Sequence, residues 1–296
     1  MLLCAACCST LLIRNPFVLV CVQMPITDST KKPTISVFNP SVGKNEEWIC
    51  ESDDYAKFLT DRMPALLKKR IKGKVLDFCI ADNQWTEQSI VAEFGVFRGA
   101  GVTKMAEARP ELTVYGFDSF EGFQEDWVDP SSGETWSPKG GMSTGGALPV
   151  VPKNVELVKG WFDVSLPMFL KTDKRNFDFI HIDCDTYEAT KCMFDLIHHR
   201  IEKGCVIVFD ELFMGGEAKA FHEFCHTHKR SFEWIGYGAN NGCETGYTCS
   251  ELCGKEVWDS MSRKDKFVTW MMLKTMPLKF KMEDGGMVSA AAVRML

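Results

Sequence analysis

Along most of this chain, short runs of apolar residues alternate with stretches whose apolar positions recur three and four apart. The first pattern is that of buried strands, the second that of helices laid against them. Strands are predicted at 89–94, 112–117, 155–160, 177–183, 205–211, 232–238 and 289–296. Helices are predicted at 190–202, where Met193, Phe194, Ile197 and Ile201 share one face, and at 218–228. Lys203-Gly204 offers a helix stop before the next strand. Upstream, Tyr55, Phe58, Leu59, Met63, Leu66 and Leu67 carry the helical spacing. Strand alternating with helix implies an α/β fold: a Rossmann-like, doubly wound, mostly parallel seven-stranded sheet with an N-terminal helical extension. The expected organisation is a poorly ordered leader and linker over 1–45, the helical extension over 46–87 and the α/β domain over 88–296.

Two stretches break the alternation. Residues 126–152 are dense in Gly, Pro and Ser without periodicity, which suits a lid or substrate loop. Residues 239–288 separate the last two strands and carry Trp258, Phe267, Trp270 and Met271, the makings of a helical insertion. At the start, apolar runs at 2–13 and 17–22 are split by Arg14-Asn15-Pro16. Neither run is long enough to span a bilayer. A secretory signal places its positive charge before the apolar run, not after it. A poorly ordered leader is the first expectation and a signal or anchor the alternative, with a cytoplasmic location expected and a membrane partner disfavoured.

At 296 residues the chain can bury a sizeable core. A net charge of −6 argues against a nucleic-acid partner. The one dense basic cluster, Lys68-Lys69-Arg70 with Lys72 and Lys74, reads as a solvated helix end. Thirteen cysteines are odd in number and scattered, and Cys192 and Cys205 fall within expected core elements. Buried thiols of this kind behave as small hydrophobes in a reduced interior. Cys243, Cys249 and Cys253, near His222, His226 and His228, lack the paired spacing of a zinc site. The oligomeric state is open, and a homo-oligomer is compatible with the sequence.

The chemistry gathers at strand ends. EFGVFRGAG (93–101) turns sharply after the first strand of the α/β domain, with Gly95, Gly99 and Gly101 able to take φ > 0 and to leave backbone bare for a ligand. Asp118 ends the next strand, 25 positions after Glu93, where one βαβ unit delivers a carboxylate to ribose hydroxyls. The G-x-x-x-G-x-G spacing, with an acid just before it, differs from the nicotinamide fingerprint and suits S-adenosylmethionine (SAM). Asp183 and Asp185 follow the strand at 177–183, and Asp210 and Glu211 end the one at 205–211. Four carboxylates at two neighbouring strand ends repel unless a cation lies between them, and hard oxygen ligands suit Mg²⁺, Ca²⁺ or Mn²⁺. A single such acid would read as a helix cap. His181, inside its strand, reads as a packed, hydrogen-bonded core residue. Cys184 lacks a histidine partner and has acidic neighbours, so it is set aside as a nucleophile. Trp161-Phe162 could stack on the cofactor or belong to the core.

GVFRGAG, GFDSFEGF, KGWFDVSLP, HIDCDTYEAT, VFDELF and GEAKAFHEF occur in this order over residues 88–238. Together they resemble the macrocin O-methyltransferase family of class I SAM-dependent methyltransferases. The resemblance implies Mg²⁺-assisted transfer of a methyl group from SAM to a hydroxyl of a small molecule, often a sugar of a natural product. The cofactor contacts it implies are Glu93, Gly95, Val96, Gly99, Asp118, Ser119, Trp161, Phe162 and Asp183. The implied metal ligands are Asp185, Asp210 and Glu211, with Asp183 beside them, and Asp185 or Asp183 is the expected general base. Glu211 departs from the family, whose members can carry a second Asp there. The other readings are a binding or scaffold protein that keeps only the fold, and a nicotinamide-dependent oxidoreductase. The latter lacks the Tyr-x-x-x-Lys pair.

Overall fold

The computed structural model describes residues 68–82, 84–128, 135–212, 216–239 and 290–296, five residues between 58 and 66, and four strands before residue 50. Those four, β1 (Thr10–Asn15), β2 (Val18–Gln23), β3 (Thr34–Asn39) and β4 (Lys44–Ile49), pair as an antiparallel meander. They fall in the stretch expected as leader and linker, and β4 stands where the helical extension was expected to begin.

The α/β core opens with β5 (Arg70–Lys74) and α1 (Val75–Asp82), followed by β6 (Ile90–Phe94), α2 (Ala100–Ala108) and β7 (Val114–Asp118). A small hairpin, β8 (Trp127–Val128) and β9 (Thr135–Ser137), precedes β10 (Val155–Lys159), α3 (Phe162–Thr172), β11 (Phe177–Ile182) and α4 (Tyr187–Ile197). A 3₁₀ turn, His198–Arg200, then leads to β12 (Ile201–Phe209), α5 (Gly216–Thr227), β13 (Phe232–Ala239) and β14 (Ala290–Met295). The main sheet has eight strands in the order β10-β7-β6-β11-β12-β14-β13-β5. Strands β10, β7, β6, β11 and β12 run parallel, and β14 is antiparallel to both of its neighbours.

The eighth strand corrects the reading of the basic cluster. In β5, Ile71 is buried between exposed Arg70 and Lys72, a period of two rather than 3.6. The strand pairs with β13, and Lys69 Nζ donates to the Trp234 carbonyl at 2.5 Å. Lys203-Gly204 is likewise not a helix stop. The helix ends at Ile197, and β12 already begins at the fully buried Ile201. Gly204, at φ +94°, sits where the register jumps from Phe177↔Ile201 to Phe179↔Val206, the mark of a bulge. The insertion expected at 239–288 lies outside the described residues except for Ala239, as do Cys243, Cys249 and Cys253.

Both faces of the sheet are covered. Leu166 and Phe169 of α3, Phe194 of α4 and Phe221 of α5 join the core on one side; Leu76 of α1 and Met105 of α2 join it on the other. Among the described residues no helix is long and apolar enough to cross a membrane. The winding reverses direction between β6 and β11, where the chain leaves a crevice beyond the strand ends. Backbone bonds tie those ends together: Gly95 N–H donates to Phe117 O at 3.0 Å, Asp183 N–H to Phe94 O at 2.8 Å and Asp210 N–H to Ile182 O at 2.9 Å.

Gly95 takes φ +88°, and a Cβ there would lie 1.8 Å from the Asp183 carbonyl oxygen. At Gly204, φ is +94° but nothing lies within 4 Å of the same atom. Gly204→Ala is therefore expected to cost about 1–2 kcal/mol, the left-handed penalty alone. Gly95→Ala adds a backbone clash and is expected to cost at least about 3 kcal/mol. Urea unfolding of the two variants measures the difference, and equal costs would contradict this packing.

Candidate active site

The site rests on strand register. Residues on one face of a strand recur every second position, and Val91, Phe179 and Val208 pack in the α1/α2 layer of the core. The same alternation turns Glu93, His181 and Asp210 toward that layer, and His181 pairs directly with Glu93 across the β6–β11 ladder. The three side chains form a chain of contacts. His181 Nδ1 lies 2.7 Å from Glu93 Oε1, and Nε2 lies 3.4 Å from Asp210 Oδ1. The other oxygen of Glu93 accepts from the Val102 amide of α2 at 2.8 Å. His181 and Asp210 are 0% exposed and Glu93 is 1% exposed. Gly101 makes room for this arrangement, since a Cβ there would lie 1.7 Å from Glu93 Oε1.

Burial pulls the His181 pKa down, but the bonds to Asp210 and Glu93 outweigh it and hold the ring well above the usual histidine value. Burial raises Glu93, with the His181 bond pulling the other way. The structure thus places Glu93 in a buried bridge rather than on a ligand face. Asp210, expected among the metal ligands, turns one oxygen toward His181.

A second, largely buried group lies at the same strand ends. Asp183, Asp185 and Glu211 each offer a carboxylate oxygen, and these atoms lie within 4.8 Å of one another. Asp185 holds a left-handed backbone at φ +61°, a conformation that costs energy outside glycine and concentrates at functional sites. Burial, then the charge of Asp210, pushes the Asp185 pKa up to about 7. Burial, again followed by Asp210, raises Asp183 and Glu211 well above the carboxylate range. Thr186 caps α4 by accepting from Ala189 N–H, and its hydroxyl donates to Glu125 at 2.8 Å. That bond ties the base of the 126–152 loop to the acid cluster.

The glycine loop and Asp118 are joined more tightly than expected. Asp118 Oδ2 accepts from the amides of Val96 at 2.7 Å and Phe97 at 2.8 Å, and Oδ1 accepts from Phe120 N–H at 2.7 Å. A carboxylate offers about four acceptor sites, so this one braces the loop and keeps about one for a ribose hydroxyl. The glycines also answer to the protein itself: Gly95 abuts the Asp183 backbone, and Gly99, at φ +85°, caps α2 under Val151. Val96 is buried, and Ser119 Oγ accepts from Glu121 N–H. Phe162 packs its ring edge-on against Phe94, centroids 5.6 Å apart, as a core aromatic. Trp161 stays half-buried at the N-cap of α3.

Two features escaped the sequence reading. One is a cavity of about 420 Å³ lined by Arg98 of the glycine loop and Ser143, Thr144, Ala147, Leu148 and Pro149. The other is Glu217, 0% exposed in the first turn of α5, whose Oε2 accepts from the Glu211 amide at 3.2 Å. Its signal was present: Glu217, Phe221 and Phe224 recur at i, i+4 and i+7, which puts a carboxylate on the apolar stripe.

Residues 92–212, from within β6 to just past β12, match a family model described as a methyltransferase domain. A search of the curated proteins finds no match. Among solved structures, the chain is similar to CalS11, a calicheamicin methyltransferase, at 19% identity over 63% of this chain and 90% of that one, with a TM-score of 0.39. The O-methyltransferase NovP matches at 18% identity over 54% of this chain and 71% of that one, TM-score 0.38. An O-methyltransferase from Bacillus cereus, in complex with SAH, matches at 16% identity over 65% and 87%, TM-score 0.38. The stretch that builds the glycine loop and the acid cluster is thus the part of the chain that matches a methyltransferase domain.

Proposed function

We propose that the protein moves the methyl group of SAM to a hydroxyl oxygen of a small molecule, a sugar or another natural product, with help from a divalent cation. The order of its motifs supports a place beside the macrocin O-methyltransferases. The observation that carries the cation reading is the convergence of Asp183, Asp185 and Glu211, with oxygens within 4.8 Å, in a largely buried crevice. Three carboxylates this close favour a cation between them, and an all-oxygen donor set suits Mg²⁺ or Mn²⁺. Asp183, Asp185 and Glu211 would hold it, with Asp210 behind them against His181. When bound, such an ion supplies positive charge that lowers the pKa of an alcohol beside it.

The chain's own residues do the rest. The glycine loop, fixed by Asp118, presents the methyl donor at the strand ends. Asp185, at the strand end among the acids, serves as the general base. As the alcohol oxygen bonds to the methyl carbon, the carbon–sulfur bond breaks and its electron pair stays on sulfur. The alcohol proton passes to the Asp185 carboxylate. Glu125, the residue before loop 126–152, accepts from Thr186 beside the acids, a placement from which that loop would cover the reacting groups and exclude water.

Asp185→Asn is expected to lower kcat by at least about 100-fold while leaving SAM affinity unchanged, as read by labelled methyl transfer and calorimetry. Full activity in that variant would remove Asp185 from the mechanism. The buried acids also fix a pH dependence. Asp185 goes from a carboxyl value of 3.8 up to about 7 on folding, so the native state holds its proton more tightly than the unfolded chain. The stability this gives is lost as pH rises from about 4 through about 7. The raised values of Asp183, Glu211, Glu217 and His181 act in the same direction. The metal-free protein is therefore expected to melt at progressively lower temperature across that interval, and Mg²⁺ to raise the melting temperature more at pH 8 than at pH 5. A Mg²⁺ effect independent of pH would contradict the cluster as its site.

A further inference from the structure

Resting on the divalent-cation reading above, we propose that Glu217 is a fourth carboxylate of that site, serving the cation from its outer sphere. Glu217 is 0% exposed and stands on the face of α5 that carries Phe221 and Phe224 into the core. A carboxylate in such a place needs every oxygen engaged. Its Oε2 is held by the Glu211 amide, while Oε1 is buried with no hydrogen-bond partner among the described residues. The nearby Lys219 ammonium lies over the Tyr187 ring, 4.3 Å from its centroid.

Glu217 is joined to the acid cluster by its 3.2 Å bond to the Glu211 amide, so the unengaged oxygen belongs to the cluster's surroundings. Yet Glu217 is outside the group whose oxygens approach within 4.8 Å of one another. That places it one layer behind Asp183, Asp185 and Glu211. Ions such as Mg²⁺ keep several waters when bound by carboxylates, and the hydrogens of that shell need acceptors. Glu217 supplies one through Oε1 and, through Oε2, fixes the backbone of Glu211, one of the proposed ligands.

The test is a titration of the full-length, SAM-free protein with Mn²⁺ alone, following unbound Mn²⁺ by electron paramagnetic resonance. Wild type is expected to bind one Mn²⁺, and Glu217→Gln to bind it about tenfold more weakly or worse. The glutamine keeps the shape and an acceptor for the Glu211 amide but loses the charge, so its metal-free melting temperature should equal or exceed that of wild type. Undiminished Mn²⁺ affinity in folded Glu217→Gln overturns the role of Glu217 and leaves the cation site standing. A wild type that binds no Mn²⁺ overturns both. Where the glutamine variant does not fold, Glu217→Met, matched in length and apolar, answers the same question: retained affinity overturns the proposal.

Discussion

The Glu93–His181–Asp210 bridge is the contact on which the rest of the site depends. It runs across three adjacent strands inside the core, and every member is buried. A charge buried without a partner would destabilise the fold severely, so the three are held as a set. Through Val102, the same bridge fixes the start of α2 and hence the glycine loop. Through Asp210, it reaches the acid cluster. The bonds to Asp210 and Glu93, which hold the His181 ring well above the usual histidine value, favour a positive ring beside those acids.

Much of this was legible in the sequence, because the strands are short apolar runs with no rival pattern. All seven expected strands are present, and Asp183, Asp185, Asp210 and Glu211 stand at the strand ends as their positions required. His181 is the packed, hydrogen-bonded core residue that its place inside FDFIHI suggested. What failed has a physical reason in each case. Basic side chains around a single apolar Ile71 look like a helix end until a neighbouring strand supplies hydrogen bonds. A glycine before a strand looks like a helix stop unless the register of the partner strand is known, as at Gly204.

The site also shows how a correct motif can carry an incomplete reason. The glycines at 95 and 101 are spaced as a cofactor loop should be, but the nearest atoms to a Cβ at these positions are protein atoms, the Asp183 carbonyl and the Glu93 carboxylate. Asp118 was expected to face ribose and is mostly engaged by the loop's own amides. The loop is therefore built rigid before any ligand arrives, which is what precise alignment of donor and acceptor demands. Glu217 lay hidden because an acid on an apolar helical stripe is read as a solvated residue unless its spacing is traced to the core.

The bridge calls for a doubly protonated His181 ring beneath the acids. Nitrogen-15 NMR of the metal-free protein labelled at histidine tests it directly at pH 7.5, above the usual histidine pKa. Both ring nitrogens of His181, assigned by its loss in a His181→Gln variant, should carry protons that exchange slowly with water. A His181 ring with one unprotonated nitrogen at that pH would contradict the bridge as the source of charge balance in the site.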